Sequence, residues 1–400
     1  MKRILLPLLL ALALPALPAA ADPAGLRALF ERAWERSASG RAAEARRDEG
    51  IAGREAADSL LAGSPSVAIA ERNDRQNRNR GQRERELELA LPLRLPGERE
   101  ARRVLADGDV EEIDAALAAA RLALAGELRG VAWALVLASA EAAIAEQRQA
   151  LAQRLEADVA RREAAGELAR TDLLLARQEA LAARADAAAA ATRRLAAGER
   201  LRVLGGSDVL PGNVEETLAP AAATESHPRL RLAAAAAARA RAALDLARES
   251  RRDGPELSLG VQESREDFSS PLRNSLRIGI RIPFATEARN APRLAAANTA
   301  LVQAETERRR IEAEVVAEDR QTEAELASAA LSAALAVERA AAADERARLL
   351  ARAFELGELP LPEMLRAQSA ALEARLESAR SQAAHGLAKA RRNQARGVLP

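Results

Sequence analysis

Cysteine is absent from the 400 residues, which excludes disulfides, thiolate chemistry and a lipidated N-terminal cysteine. Without disulfides the chain must be stabilised by packing or by assembly. Tyrosine is missing too, and aromatic residues make up only 2% of the chain. Histidine occurs twice, at His227 and His385. Without cysteine beside them an ordinary zinc site is not expected; they read as a helix-start residue before Pro228 and a solvated position near the end. No Ser or Thr has a His partner for a triad, and Gly205-Gly206 lacks the lysine of a phosphate loop. Acidic residues alternate with arginine, as at Glu307 and Arg310, the pattern of solvated helix faces rather than paired catalytic carboxylates. No catalytic residue, metal or cofactor is therefore expected, and the chain does not read as an enzyme.

What is abundant is Ala, Leu, Arg and Glu. That composition belongs to long helices with coiled-coil-like contacts, where small alanines let backbones approach. Charge is nearly balanced, with 60 basic and 59 acidic residues, which argues against nucleic acid as a partner. The chain opens Met1-Lys2-Arg3, runs apolar from Ile4 to Leu17 and reaches Ala19-Ala20-Ala21. Residues 1–21 thus read as a secretory signal peptide. Beyond it no stretch reaches about 18 residues free of charge, so no transmembrane helix is expected.

Two landmarks recur at one offset. Gly166-Glu167-Leu168-Ala169-Arg170-Thr171-Asp172 breaks a long helical run, and Gly357-Glu358-Leu359-Pro360-Leu361-Pro362-Glu363 does the same 191 residues later. Glu86-Leu87-Glu88-Leu89-Ala90-Leu91-Pro92-Leu93 and Arg277-Ile278-Gly279-Ile280-Arg281-Ile282-Pro283-Phe284 share that offset, and both alternate like strands. Two unlike landmarks with one spacing indicate a tandem duplication. The first repeat covers 22–204: a helix over 24–62, a β-hairpin over 65–95 and a long helical hairpin with its tip near 166–172. A linker follows over 205–220. The second repeat covers 221–400, with a helix over 228–251, a β-hairpin over 255–284 and a helical hairpin with its tip near 357–363. Helices are expected over 97–165, 171–202, 291–355 and 362–396.

In the hairpins large apolar residues occupy one face: Leu87, Leu89, Leu91 and Leu93, then Leu257, Leu259 and Val261, then Ile278, Ile280, Ile282 and Phe284. The opposite face carries Glu86, Glu88, Ser258, Gln262, Arg277 and Arg281. Such alternation over about 9–11 residues suits a tilted membrane-spanning β-strand. A small β-layer packed on helices is the other reading. Four strands are too few for a barrel, and long helices are not stable singly, so oligomerisation is implied.

The order of these elements resembles the TolC-type outer membrane efflux protein family over essentially the whole mature chain. His227-Pro228-Arg229-Leu230 and Pro255-Glu256-Leu257-Ser258-Leu259 look like family signatures. The resemblance implies a mainly α fold with four β-strands per protomer, and a homotrimer whose strands form a twelve-stranded barrel in outer-membrane lipid, joined to an α-helical tunnel. It implies as partners a periplasmic adaptor (membrane fusion) protein, which docks at the tips, and an inner-membrane pump. At the tips the family's Thr-Asp pair matches Thr171 and Asp172, and an acidic position matches Glu363. The family's latching arginine is here Leu359, and a further acidic position is Arg366. These departures leave the latch open; Arg170 beside Asp172 offers a substitute pairing. Asp172 and Glu363 would form acidic constrictions favouring cations. The short length looks closer to members serving heavy-metal pumps, with multidrug efflux and protein secretion as alternatives. A periplasmic coiled-coil scaffold or adaptor without a channel is the competing class.

Overall fold

The structure, a computed structural model, describes residues 25–210, 212, 214–220 and 226–400. The expected leader lies outside the described residues, as does part of the linker.

Two helices of 69 residues form the frame: α4 (Pro96–Ala164) and α7 (Glu287–Glu355). At 1.5 Å per residue each is about 100 Å long. They share the 191-residue displacement at both ends. Each contains a stretch that length and composition alone would allow to span a membrane. Much of the apolarity is alanine, and in α4 it packs against neighbouring helices.

Shorter helices flank the frame. On the half of the molecule towards the tips, α5 (Arg170–Gly205) packs on α4 and α8 (Leu361–Ala395) packs on both α7 and α4. On the other half, α3 (Ala43–Asp58) packs on α4, while α6 (Pro228–Glu249) lies between α4 and α7. The seams are made of alanine, such as Ala152 with Ala180 and Ala183, and Ala347 with Ala367 and Ala371. Small side chains allow close helix approach, which spreads dispersion contacts along a narrow interface.

The helix expected over 24–62 is instead three: α1 (Leu26–Arg36), α2 (Ala38–Arg41) and α3. The break is local. Ser37 leaves the helical region, its Oγ donates to Trp34 O at 2.7 Å, and it accepts from Gly40 N at 2.9 Å. Gly40 is needed because a Cβ there would lie 1.9 Å from Trp34 O. The other long helices begin and end within four residues of expectation.

The strands β1 (Ser66–Asn73), β2 (Arg83–Pro92), β3 (Glu256–Arg265) and β4 (Arg273–Arg281) form one antiparallel sheet in chain order. The two hairpins are therefore not separate: β2 pairs with β3 from Arg83 opposite Arg265 to Pro92 opposite Glu256. Strands β1 and β4 are left as open edges.

Candidate functional site

Three regions carry the chemistry of this chain: the hairpin tips, a knot at the waist, and the sheet.

The tips are built alike. Gly166 and Gly357 have φ of +81° and +76°, a conformation that favours glycine. Each closes its helix with the same paired bonds: Gly166 N to Glu163 O and Glu167 N to Arg162 O, then Gly357 N to Phe354 O and Glu358 N to Ala353 O. These satisfy carbonyls the helix ends would leave bare. The returning helices start by different means. Asp172 accepts from Ala169 N at 3.3 Å, an acidic group at a helix N-terminus. At the second tip Pro360 caps the helix and Pro362 sits in its first turn, where a missing N–H costs nothing.

The structure brings the two tips together on one apolar cluster. Val159, Ala176, Phe354, Leu361 and Met364 are buried there, with Leu168, Leu173, Leu359 and Leu365 packed around them. Arg162 lies over the Phe354 ring at 5.2 Å, tying α4 to the end of α7. Leu359 thus contributes apolar packing to this cluster. The Arg170 guanidinium reaches back to Glu163 at 3.7 Å and does not make the substitute pair with Asp172, whose carboxylate is turned to the Ala169 N–H. Thr171, Glu363 and Arg366 are exposed.

The knot was missed from sequence. Arg129, on α4, is only 1% exposed. It donates to both oxygens of Glu216 at 2.7 and 2.6 Å, to Gln394 Oε1 at 2.6 Å and to Val398 O at 3.0 Å. Asn393 completes it by donating to Glu216 Oε2 and Thr217 O and accepting from Ala219 N. The middle of α4, the segment 216–219 and the C-terminal turn are thereby joined. Trp133 packs nearby against Gly386, where a Cβ would lie 1.9 Å from the ring. Arg129 at the edge of the charge-free run 130–140 was the available signal; its partners, 87 or more residues away, were not.

His227 caps α6 and accepts from Arg229 N at 3.2 Å, in keeping with a helix-start role. Burial, and then Arg229, hold its pKa below the usual imidazole value. His385, expected to be solvated, is half-buried on α8. Among the described residues no cluster of His, Cys, Asp or Glu has the arrangement of a metal site.

The sheet has two unlike faces. Cross-strand rows align Val67, Leu89, Leu259 and Ile278, then Ile69, Leu87, Val261 and Leu276, then Leu91, Leu257 and Ile280. Most of these aliphatics face outwards, from 38% exposed at Leu259 to 82% at Ile69. The other face is polar: Gln262 donates to Glu84, Arg277 to Glu86 and to Gln262, and Arg281 lies 3.7 Å from Glu256. Monomeric soluble proteins rarely leave a contiguous apolar face of this kind in water.

No family model matches the chain, and no curated protein sequence does. Solved structures do. CusC, described by its transmembrane channel formation, is 18% identical with a TM-score of 0.77, covering 93% of this chain and 92% of that one. The Campylobacter jejuni CmeC outer membrane channel is 15% identical, TM-score 0.75, over 93% and 85%. The Vibrio cholerae outer membrane protein VceC is 16% identical, TM-score 0.74, over 93% and 96%. This chain has the fold of the TolC-type outer membrane channels.

Proposed function

We propose that this protein is the outer-membrane channel of a tripartite efflux system, passively conducting solutes from the periplasm to the exterior. The observation that carries the reading is the two-faced sheet at the end of helices about 100 Å long. Apolar side chains outwards and charged ones inwards suit lipid on one face and water on the other. Two open strand edges in each chain suit closure with further copies, since an unpaired membrane edge is prohibitively costly. Three copies would supply a twelve-stranded barrel and, from their helices, a tunnel. Exposed aliphatics on the helices, among them Leu181, Leu195, Leu331, Leu335 and Leu349, would be covered by neighbouring copies. The matching element lengths and tip turns support an origin by tandem duplication of 22–204 and 221–400.

In this reading the tips are where a periplasmic adaptor docks and where the tunnel narrows. Gly166 and Gly357 fix the turns, and Leu359 helps hold them by apolar packing. Glu163 with Arg170 is a partly exposed pair contributing about 0–1 kcal/mol. Asp172 and Glu363 would bias the constriction towards cations, with heavy-metal ions or drugs as cargo. The inner-membrane pump supplies the energy, and the neighbours' being channels fits a protein that is not an enzyme. Planar-bilayer recordings test this. Wild type should form cation-selective pores, and D172A/E363A should lose selectivity while still inserting. A purified protein that never inserts would exclude the channel, whereas unchanged selectivity in the double variant would exclude only the acidic constriction.

A further inference from the structure

The loop joining β1 to β2 is absorbed by neither the channel wall nor the tips. From Asn73 to Gln82 it contains three arginines, Arg75, Arg78 and Arg80, and a single acid, Asp74. The remaining residues are asparagine, glutamine and glycine. The acid is committed to the backbone. Asp74 accepts from Arg80 N at 2.5 Å and from Gly81 N at 3.3 Å, and its own carbonyl accepts from Asn77 N and Asn79 N.

The loop is also held from outside. Phe268 N, in the loop joining β3 to β4, donates to Arg80 O at 3.0 Å, and Arg265 Nε donates to Gly81 O at 3.1 Å. Arg265 lies over the Phe268 ring at 5.5 Å. The neighbouring loop's acids are Glu266 and Asp267, and Asp267 is turned to the N–H groups of Ser269 and Ser270. Among the described residues no carboxylate is paired with the guanidinium of Arg75, Arg78 or Arg80.

Position gives the ligand class. Arg83 and Arg85 continue the apolar rows of β2 by strand alternation, immediately beyond Leu87. They are partly offset by Glu71, at 3.3 and 3.8 Å, and by Glu263, 3.9 Å from Arg85. The order along this face is therefore aliphatic band, mixed charged row, and then unpaired guanidiniums. That is the order in which a lipid leaflet presents acyl chains and headgroups.

We propose that the 73–82 loop binds the phosphate groups of lipid headgroups in the leaflet distal to the helices. The proposal rests on the membrane reading of the sheet. Guanidinium is suited to it, because its planar fork takes two phosphate oxygens at once and it sheds water more readily than an ammonium. The loop's fixed turns reduce the ordering cost of binding. Three copies around a barrel would set such a loop at three points on the rim.

The test uses the full chain in detergent micelles doped with a diphosphorylated acyl glycolipid or its dephosphorylated form, with retained lipid read by native mass spectrometry. Wild type should retain the phosphorylated lipid. R75Q/R78Q/R80Q should retain about a hundredfold less, each guanidinium near an anionic surface counting for about fivefold. R273Q, in β4 on the polar face, should leave retention unchanged. Equal retention by the triple variant, or equal retention of the dephosphorylated lipid, would overturn the proposal. So would a site filled by a soluble polyanion while no lipid is held. Bilayer conductance of the same preparations separates the two readings. Pores without phosphate-dependent retention refute the loop site alone, and a protein that never inserts refutes both.

Discussion

The sheet and the waist knot break opposite rules. The sheet leaves aliphatic side chains exposed, with Ile69 at 82%, while the knot buries a guanidinium to 1% exposure. The knot resolves its conflict within one chain, because Arg129 has Glu216, Gln394 and the Val398 carbonyl around it. The sheet cannot resolve its conflict alone, since only another phase or another protein can cover that face. An internal contradiction that is satisfied locally marks structure. One that is left open marks the surface through which the molecule meets its surroundings.

The contrast can be broken most severely at Arg129. Truncation to Ala would strand Glu216 in a buried site and should cost about 3–5 kcal/mol in chemical denaturation. Replacing both partners with methionine should recover most of that loss. A charge on the apolar face comes next. Ile278→Arg should cost about 2–4 kcal/mol for protein unfolded from lipid vesicles, whereas Ser258→Arg on the polar face should stay within about 0.5 kcal/mol. Equal small effects would mean that both faces see water. Gly386→Ala should then cost about 1–3 kcal/mol by overpacking against Trp133, seen as a lower Tm.

The smallest effect is a pH dependence. The folded pKa of His227 is lowered, first by burial, so between the folded and unfolded values the unfolded chain binds more protons. This group's contribution is complete above about pH 6.5 and is lost as pH falls towards the folded value. Acidification from about pH 7 to about pH 5 should lower Tm, and His227→Gln should flatten part of that slope.

Much of the fold was legible because it is periodic. Alternation in Glu86–Leu93 and Arg277–Phe284 named both faces of the sheet, and Ala/Leu/Arg/Glu-rich runs named the long helices. Two kinds of feature were not legible. The breaks at Ser37 and Gly40 depend on two local hydrogen bonds that helix-favouring composition hides. The joining of β2 to β3, and the partners of Arg129, depend on residues far apart in the chain, for which a periodic pattern holds no record. At the tips the glycine turns could be read. The substitution at Leu359 was visible as a departure, but its packing against Phe354 and Met364 was not.

The central claim is that the sheet's open face and edges are completed by lipid and by further copies of the chain. Electron microscopy of protein extracted by detergent from the outer-membrane fraction tests it most directly. The account predicts three-fold cylinders well over 100 Å long, with the sheet at one end inside the detergent belt. A monomer or dimer recovered from the soluble fraction without detergent would contradict it.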